Sequence, residues 1–380
     1  MSVKTAKNRL ALFLFLFVLS SAGAAEKTSA PDPMEALSKL VRKEPARTKP
    51  IRYIFYSGVR YVLLFDVADF YGLASQYTKE GVVLYSSTRR VEMFYEKREG
   101  SINGTKTFFL APVLYLDKRP YITETDFLRV IDPALRTRIP QKQRIRTIMI
   151  DPGHGGSDPG AKGPVLSEKQ VNLLIAAKLK RALEKLGFRV LMTRTGDTFP
   201  ALKDRTDMAK KNKPDLFISI HCNSAANSAV HGIETFLVTP VGACSTADKE
   251  PQSTRYTGNA FDQNNYRLAF DIHRSLLKFT GCEDRGIRHA RFYVLRNSVC
   301  PSILIECGFL SNNAEGRLLA TNERQNKIVA GILSGLARYA EAVKPSKKES
   351  ASAAVTKSGS TAAGGAARPA ADASGKTAGR

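Results

Sequence analysis

Between residues 145 and 342 the sequence switches repeatedly between two hydrophobic periods. Apolar runs of strand length end at Ile150, Met192, Ile220, Val238 and Ile305, with starts at Arg146, Phe188, Asp215, Gly232 and Ser302. Between them lie stretches with apolar residues three and four apart. The clearest is Val171, Leu174, Ile175, Leu179, Ala182, Leu183 and Leu186. Ser167-Glu168-Lys169-Gln170 opens it as a capping box, and Gly187 stops it. Helices are likewise expected over Ala201–Asn212, Gln263–Phe279 and Gln325–Ala340. Repeated strand–helix units imply an α/β sheet covered by helices on both faces. Ligands of such sheets gather at the carboxyl ends of parallel strands.

The strand ends carry the polar residues that matter. Ile148-Met149-Ile150-Asp151-Pro152-Gly153-His154-Gly155-Gly156 runs from a strand into a glycine-crowded loop. His221 follows a second strand end, Glu306 a third, and Glu168 opens the first helix. Four donors distant in sequence therefore meet at one sheet edge. Two imidazoles and a carboxylate form an open zinc shell with a vacant fourth position, and a further carboxylate off the metal serves as general base. Glycines beside His154 let backbone approach an ion closely. A phosphate cradle is the poorer reading of the loop, because the Gly-Lys-Ser/Thr ending is missing.

These motifs resemble the zinc-dependent N-acetylmuramoyl-L-alanine amidases of bacterial cell walls. The resemblance rests on Asp151-Pro152-Gly153-His154-Gly155-Gly156, Ser167-Glu168-Lys169, Ser219-Ile220-His221-Cys222-Asn223 and Ile305-Glu306-Cys307-Gly308-Phe309-Leu310-Ser311-Asn312, in order over about 145–341. It implies a mixed sheet with flanking helices, Zn2+ as cofactor, and peptidoglycan as substrate. It assigns His154, Glu168 and His221 to the metal and Glu306 to catalysis. Asn223 and Arg205 are candidate substrate contacts, with structural roles open for both; Arg194 is weighed in the same way. Cys222 stands where the family commonly has alanine, and Cys307 follows the catalytic glutamate; on a strand both thiols face away from their neighbours. Longer family members carry a blocking helix after the strand matching Gly232–Val238, but residues 239–262 lack helical periodicity. Competing readings are another zinc-dependent wall peptidase and an inactive wall-binding homologue. His231, His273 and His289 have no motif support and read as structural or surface residues.

The rest of the chain sets the context. Lys4, Lys7 and Arg9, the apolar run Leu10–Leu19 and Ala22-Gly23-Ala24 form a secretory signal over 1–24. Export to the periplasm or cell envelope follows, with no membrane-spanning segment after its removal. A linker is expected over 25–49. Residues 50–133 form a small β-rich α+β domain, in which Asn103-Gly104 marks a hairpin. Its two strand–helix units, Tyr61–Phe70 and Pro120–Leu128, resemble the copper-amine-oxidase N-terminal type. A second linker, 134–144, leads into the catalytic domain, 145–342. The basic tail, 343–380, has too few large apolar residues to order itself. The formal net charge of +23 draws the chain to polyanions; export sets nucleic acid aside in favour of wall polymers. A protein activator of the divisome is a further expected partner. Five cysteines permit disulfides after export and leave at least one unpaired within the chain.

Overall fold

Peptide backbone from both halves of the chain meets in one sheet. The computed structural model describes residues 50–140, 144–248 and 250–343. The expected leader, the linker over 25–49 and the basic tail beyond residue 343 lie outside them.

The first half runs through β1 (Tyr53–Tyr56), β2 (Val59–Leu63), α1 (Leu64–Tyr71), β3 (Ala74–Tyr77), β4 (Gly81–Tyr85), β5 (Arg90–Phe94), β6 (Glu99–Ile102), β7 (Thr105–Phe108), β8 (Leu114–Leu116) and β9 (Arg119–Thr123). A helical run follows, here α2, made of Glu124–Asp126, the π-helical turn Phe127–Ile131 and Asp132–Leu135. The two expected strand–helix units are β2–α1 and β9–α2, and their strands pair antiparallel, Val62 opposite Ile122. Asn103 and Gly104 turn β6 into β7 with φ of 51° and 74°. Such a positive-φ pair matches the twist of the flanking strands. Beyond α2, Ile139 is buried and its N–H donates to Ala342 O at 2.9 Å.

The second half contains β10 (Thr147–Pro152), α3 (Glu168–Lys185), β11 (Arg189–Met192), α4 (Leu202–Asn212), β12 (Leu216–Asn223), β13 (Ile233–Val238), α5 (Asp262–Thr280), β14 (Asp284–Ala290), α6 (Tyr293–Arg296), β15 (Ser302–Phe309), α7 (Asn313–Leu319) and α8 (Asn322–Ala342). The strand order is β11-β10-β12-β15-β13-β14-β7-β6-β5-β4-β3, with β1-β2-β9-β8 as a separate sheet. β10, β11, β12 and β15 run parallel, and β13 is antiparallel to β15. The sheet is thus mixed, as expected. Ile148, Ile150, Ile218, Ile220, Ile303 and Ile305 face α3, α5 and α8 in the main core. On the opposite face Met149, Phe217 and Leu304 meet Ala209 of α4 and Val294 and Leu295 of α6. The capping box forms as read: Ser167 N–H donates to Gln170 Oε1 at 2.9 Å.

β14 joins the halves by pairing parallel with β7, Ile287 opposite Thr107. Lys106 N–H donates to Asp284 Oδ2 at 2.8 Å, and the Thr107 hydroxyl meets Tyr266 OH at 2.7 Å. His289, on the helix-covered face of β14, is 1% exposed, and neither ring nitrogen has a partner among the described residues. Burial, then the charge of Arg98, pushes its pKa down to about 3. The unfolded chain takes up this proton near the ordinary value of about 6.5. Stability therefore falls on acidification between those two values, by up to roughly 1.4 kcal/mol per pH unit for this group. His289→Phe should flatten that slope in thermal unfolding followed from pH 7 to 4; an unchanged slope would exclude His289 as its source.

Candidate active site

The loop after β10 reverses sharply. His154, Gly155 and Gly156 all have positive φ, 59°, 132° and 53°. Gly155 and Asp158 exchange backbone hydrogen bonds of 2.9 and 3.0 Å, closing the reversal. Asp158 Oδ2 lies 2.7 Å from His154 Nδ1, which fixes the ring and turns Nε2 toward Glu168 Oε2 at 3.1 Å. Glu168 is buried at the first position of α3. Its Oε1 lies 2.9 Å from His221 Nδ1 and accepts from Cys222 N–H at 3.2 Å; its Oε2 accepts from Ala161 N–H at 2.9 Å. Burial alone would raise the Glu168 pKa, but the bonds from His154 and His221 outweigh it and hold the carboxylate ionised.

One donor atom from each of His154, Glu168 and His221 lies within 4.8 Å of the other two. A cation with bonds of about 2.0–2.1 Å in tetrahedral array spaces its donors about 3.3 Å apart, inside the 4.8 Å that bounds the three. The glycines leave the room. A Cβ on Gly153 would sit 2.1 Å from His221 Cε1, and one on Gly160 2.5 Å from Glu168 Oε2. The donor set and its cradle fit a small divalent cation.

Glu306 stands opposite His221 across the β12–β15 pair and opposite Glu234 across β13–β15. It is buried, and its Oε2 has no hydrogen-bond partner among the described residues. Burial pushes its pKa well up, helped by the charges of Glu168 and Glu234. A carboxyl group so placed exchanges a proton readily with a bound reactant.

The other candidates take supporting positions. Arg205 is 3% exposed; it donates to Asp151 Oδ1 (2.7 Å), Pro152 O (2.8 Å) and His154 O (2.9 Å). Arg194, equally buried, donates to Pro152 O (3.0 Å), Gly153 O (2.8 Å) and Lys169 O (2.8 Å). Together they fasten the loop that holds His154. Asn223 Nδ2 donates to Glu234 Oε2 at 3.0 Å. Cys222 and Cys307 are buried in the main core, on the face covered by α3, α5 and α8, and Cys222, Cys282, Cys300 and Cys307 are in no disulfide. No helix lies between Val238 and Thr257 among the described residues. His273 is fully buried between Thr235 and Asp284, and His231 is exposed beside Glu283.

Sequence reasoning missed Glu234. It is buried, and its Oε1 accepts from Arg285 Nε at 3.1 Å and lies 3.2 Å from Arg288 Nε. The signal that would find it is the sheet order, which places β13 beside β15.

Two imidazoles and an acid thus gather near a second acid that has an oxygen without a hydrogen-bond partner among the described residues. Residues 148–338 match the family profile described as N-acetylmuramoyl-L-alanine amidase. The chain is 33% identical over 219 residues to N-acetylmuramoyl-L-alanine amidase AmiA of Salmonella typhimurium, covering 51% of this chain and 76% of that one. It is 35% identical over 194 residues to the uncharacterized protein YqiI of Bacillus subtilis, covering 51% and 84%. With amidase LytC of Bacillus subtilis it shares 34% identity over 211 residues, covering 54% of this chain and 39% of that relative. The chain belongs to the N-acetylmuramoyl-L-alanine amidase family, whose reaction is hydrolysis of the amide between N-acetylmuramic acid and L-alanine in peptidoglycan. Among the described residues no helix is long and apolar enough to cross a membrane.

Proposed function

We propose that this chain is a zinc-dependent amidase in which His154, Glu168 and His221 hold the ion and Glu306 moves the proton. The observation that carries the reading is the gathering of three donor atoms within 4.8 Å beside the unpartnered Oε2 of Glu306. A bound Zn2+ supplies a Lewis acid that acidifies water and polarises the lactyl carbonyl. Glu306 takes a proton from the attacking water as the new carbon–oxygen bond forms. It then returns a proton to the alanine nitrogen as the carbon–nitrogen bond breaks. Asp158 keeps His154 in the tautomer that leaves Nε2 free, and Arg205 and Arg194 keep its loop in place. Asn223 acts in the same proposal by fixing Glu234. Export through the leader, wall remodelling or daughter-cell separation as the cellular role, and a protein activator belong to this reading. So does an amine-oxidase-like assignment for residues 50–133.

Chelation should abolish release of intact stem peptides from purified peptidoglycan, and added Zn2+ should restore it. Free lactyl groups identify the amidase; shortened stems would point to a peptidase. Bonds from Glu168 and Asp158 outweigh burial and raise the His154 pKa above its ordinary value. Metal uptake must displace that proton. Zn2+ affinity should therefore fall by up to about tenfold per pH unit below the raised value. Affinity independent of pH from 8 to 5 would remove His154 from the ligand set.

A further inference from the structure

The row His221, Glu306, Glu234 spans three adjacent strands, and the next strand, β14, carries Arg285 and Arg288. Both arginines reach back to one oxygen of Glu234 through Nε. Among the described residues, Glu234 and, for Arg285 alone, Glu283 are the acids within ion-pair distance of the two arginines. Their side chains are 24% and 23% exposed. The terminal nitrogens of both guanidinium groups make no hydrogen bond to any described residue; the nearest acid to one of them, Glu283, is 3.9 Å from Arg285. The planes are held by stacking: Arg285 lies 5.0 Å over the Phe309 ring and Arg288 4.5 Å over the Phe108 ring. Two part-exposed guanidinium forks, each held over an aromatic ring, have the planar shape that pairs with a carboxylate.

We propose that Arg285 and Arg288 form a subsite for a free carboxylate of the stem peptide, with Glu234 as its anchor and Phe108 of β7 as part of its floor. The subsite rests on the assignment of Glu306 as the reacting acid. Adjacent strands are about 4.8 Å apart, so β14 lies about 10 Å from β15 across the sheet. A peptide advances at most about 3.6 Å per residue, which brings the second and third stem residues over β14 when the lactyl amide lies at Glu306. The second stem residue is a glutamate linked through its side chain, and its α-carboxyl group is either free or amidated. The subsite selects the free acid. It also gives the β-rich half of the chain a direct part in substrate choice, because Phe108 supports Arg288 from across the β14–β7 pairing.

The test uses the zinc-loaded full chain and two soluble muropeptides that differ only at that group, carboxylate against carboxamide. The wild-type chain should cleave the carboxylate form with kcat/KM about 10- to 100-fold higher. In Arg285→Gln and Arg288→Gln the ratio should fall toward one, chiefly through KM. Equal slowing of both substrates would overturn the subsite and leave the arginines as neutralising partners of Glu234. A wild-type ratio near one, with cleavage intact, overturns it without any variant. Absence of muramoyl cleavage in both muropeptides would instead overturn the zinc-amidase reading and the subsite with it.

Discussion

Glu306→Gln should lose muramoyl-amide cleavage by about 10²- to 10⁴-fold, the contribution typical of a positioned proton carrier. Glutamine keeps the length and shape of the side chain and removes its basicity. Glu306 is not one of the three gathered donors, so the zinc content of the variant should match that of the wild type. The folded state should not suffer either. In the wild type a carboxyl group is buried with Oε2 unpartnered, facing the charges of Glu168 and Glu234. Burying such a group is unfavourable, and a neutral amide relieves the charge repulsion. The expected signature is therefore a split: unfolding temperature equal or higher, metal equal, turnover nearly gone. Chromatography of digested peptidoglycan, metal analysis and thermal unfolding read the three quantities. Activity within a few-fold of the wild type would remove Glu306 as the proton carrier.

The parts of this site that were legible in the sequence are those fixed by local signals. His154 and His221 stand at the ends of apolar runs, and Glu168 follows a capping serine, so each position could be read without knowing its neighbours. The Asn103-Gly104 hairpin was legible for the same reason, because the turn type demands positive φ at both residues. What depends on strand order was not. Glu234 sits beside Thr235 in the short run Ile233-Glu234-Thr235-Phe236, where an acid next to another polar residue looks solvent-facing. Only the antiparallel placement of β13 beside β15 buries it against Glu306. β14 was harder still. Asp284-Arg285-Gly286-Ile287-Arg288-His289-Ala290 has one β-branched residue, a glycine and two arginines, and reads as a basic stretch. It is a strand because β13 and β7 pair with it on either side, with a register shift opposite Ile233 and Thr235. Tertiary pairing outweighs local propensity there. Arg205 was a candidate from its motif, but a charged residue in Ala201–Asn212 gives no local sign that it points under a loop of the neighbouring strand.

That position makes Arg205→Ala the most damaging substitution expected outside the donor set. Arg205 and Asp151 form an ion pair 2.7 Å long with side chains 3% and 1% exposed. Asp151 also accepts from the hydroxyls of Thr193 at 2.6 Å and Ser219 at 2.7 Å. Burial would raise the Asp151 pKa, but Arg205 and the two hydroxyls together hold it below the ordinary carboxylate range. Removing the arginine strands a buried charge, which typically costs about 3–5 kcal/mol. It also takes the Arg205 donor from His154 O and leaves Pro152 O with Arg194 alone. At about 2–4 °C per kcal/mol for a domain of this size, the unfolding temperature should fall by roughly 10 °C at pH 7. The depressed Asp151 pKa fixes the pH dependence. In the wild type the stabilisation is complete above the unfolded carboxylate value, near 3.9, and is lost as pH falls through the lower folded value; in the variant burial pushes the Asp151 pKa up, so the gap should begin to narrow already above 3.9 and go on narrowing below it. Because His154 O loses its anchor, zinc affinity should drop about 10- to 100-fold, as for other residues that orient a metal-binding histidine. Arg205→Lys should recover only part of both losses, since an ammonium group cannot reach Asp151 Oδ1 and two carbonyl groups with a planar fork. An alanine variant that melts with the wild type and binds zinc equally well would show that the loop holds His154 without Arg205.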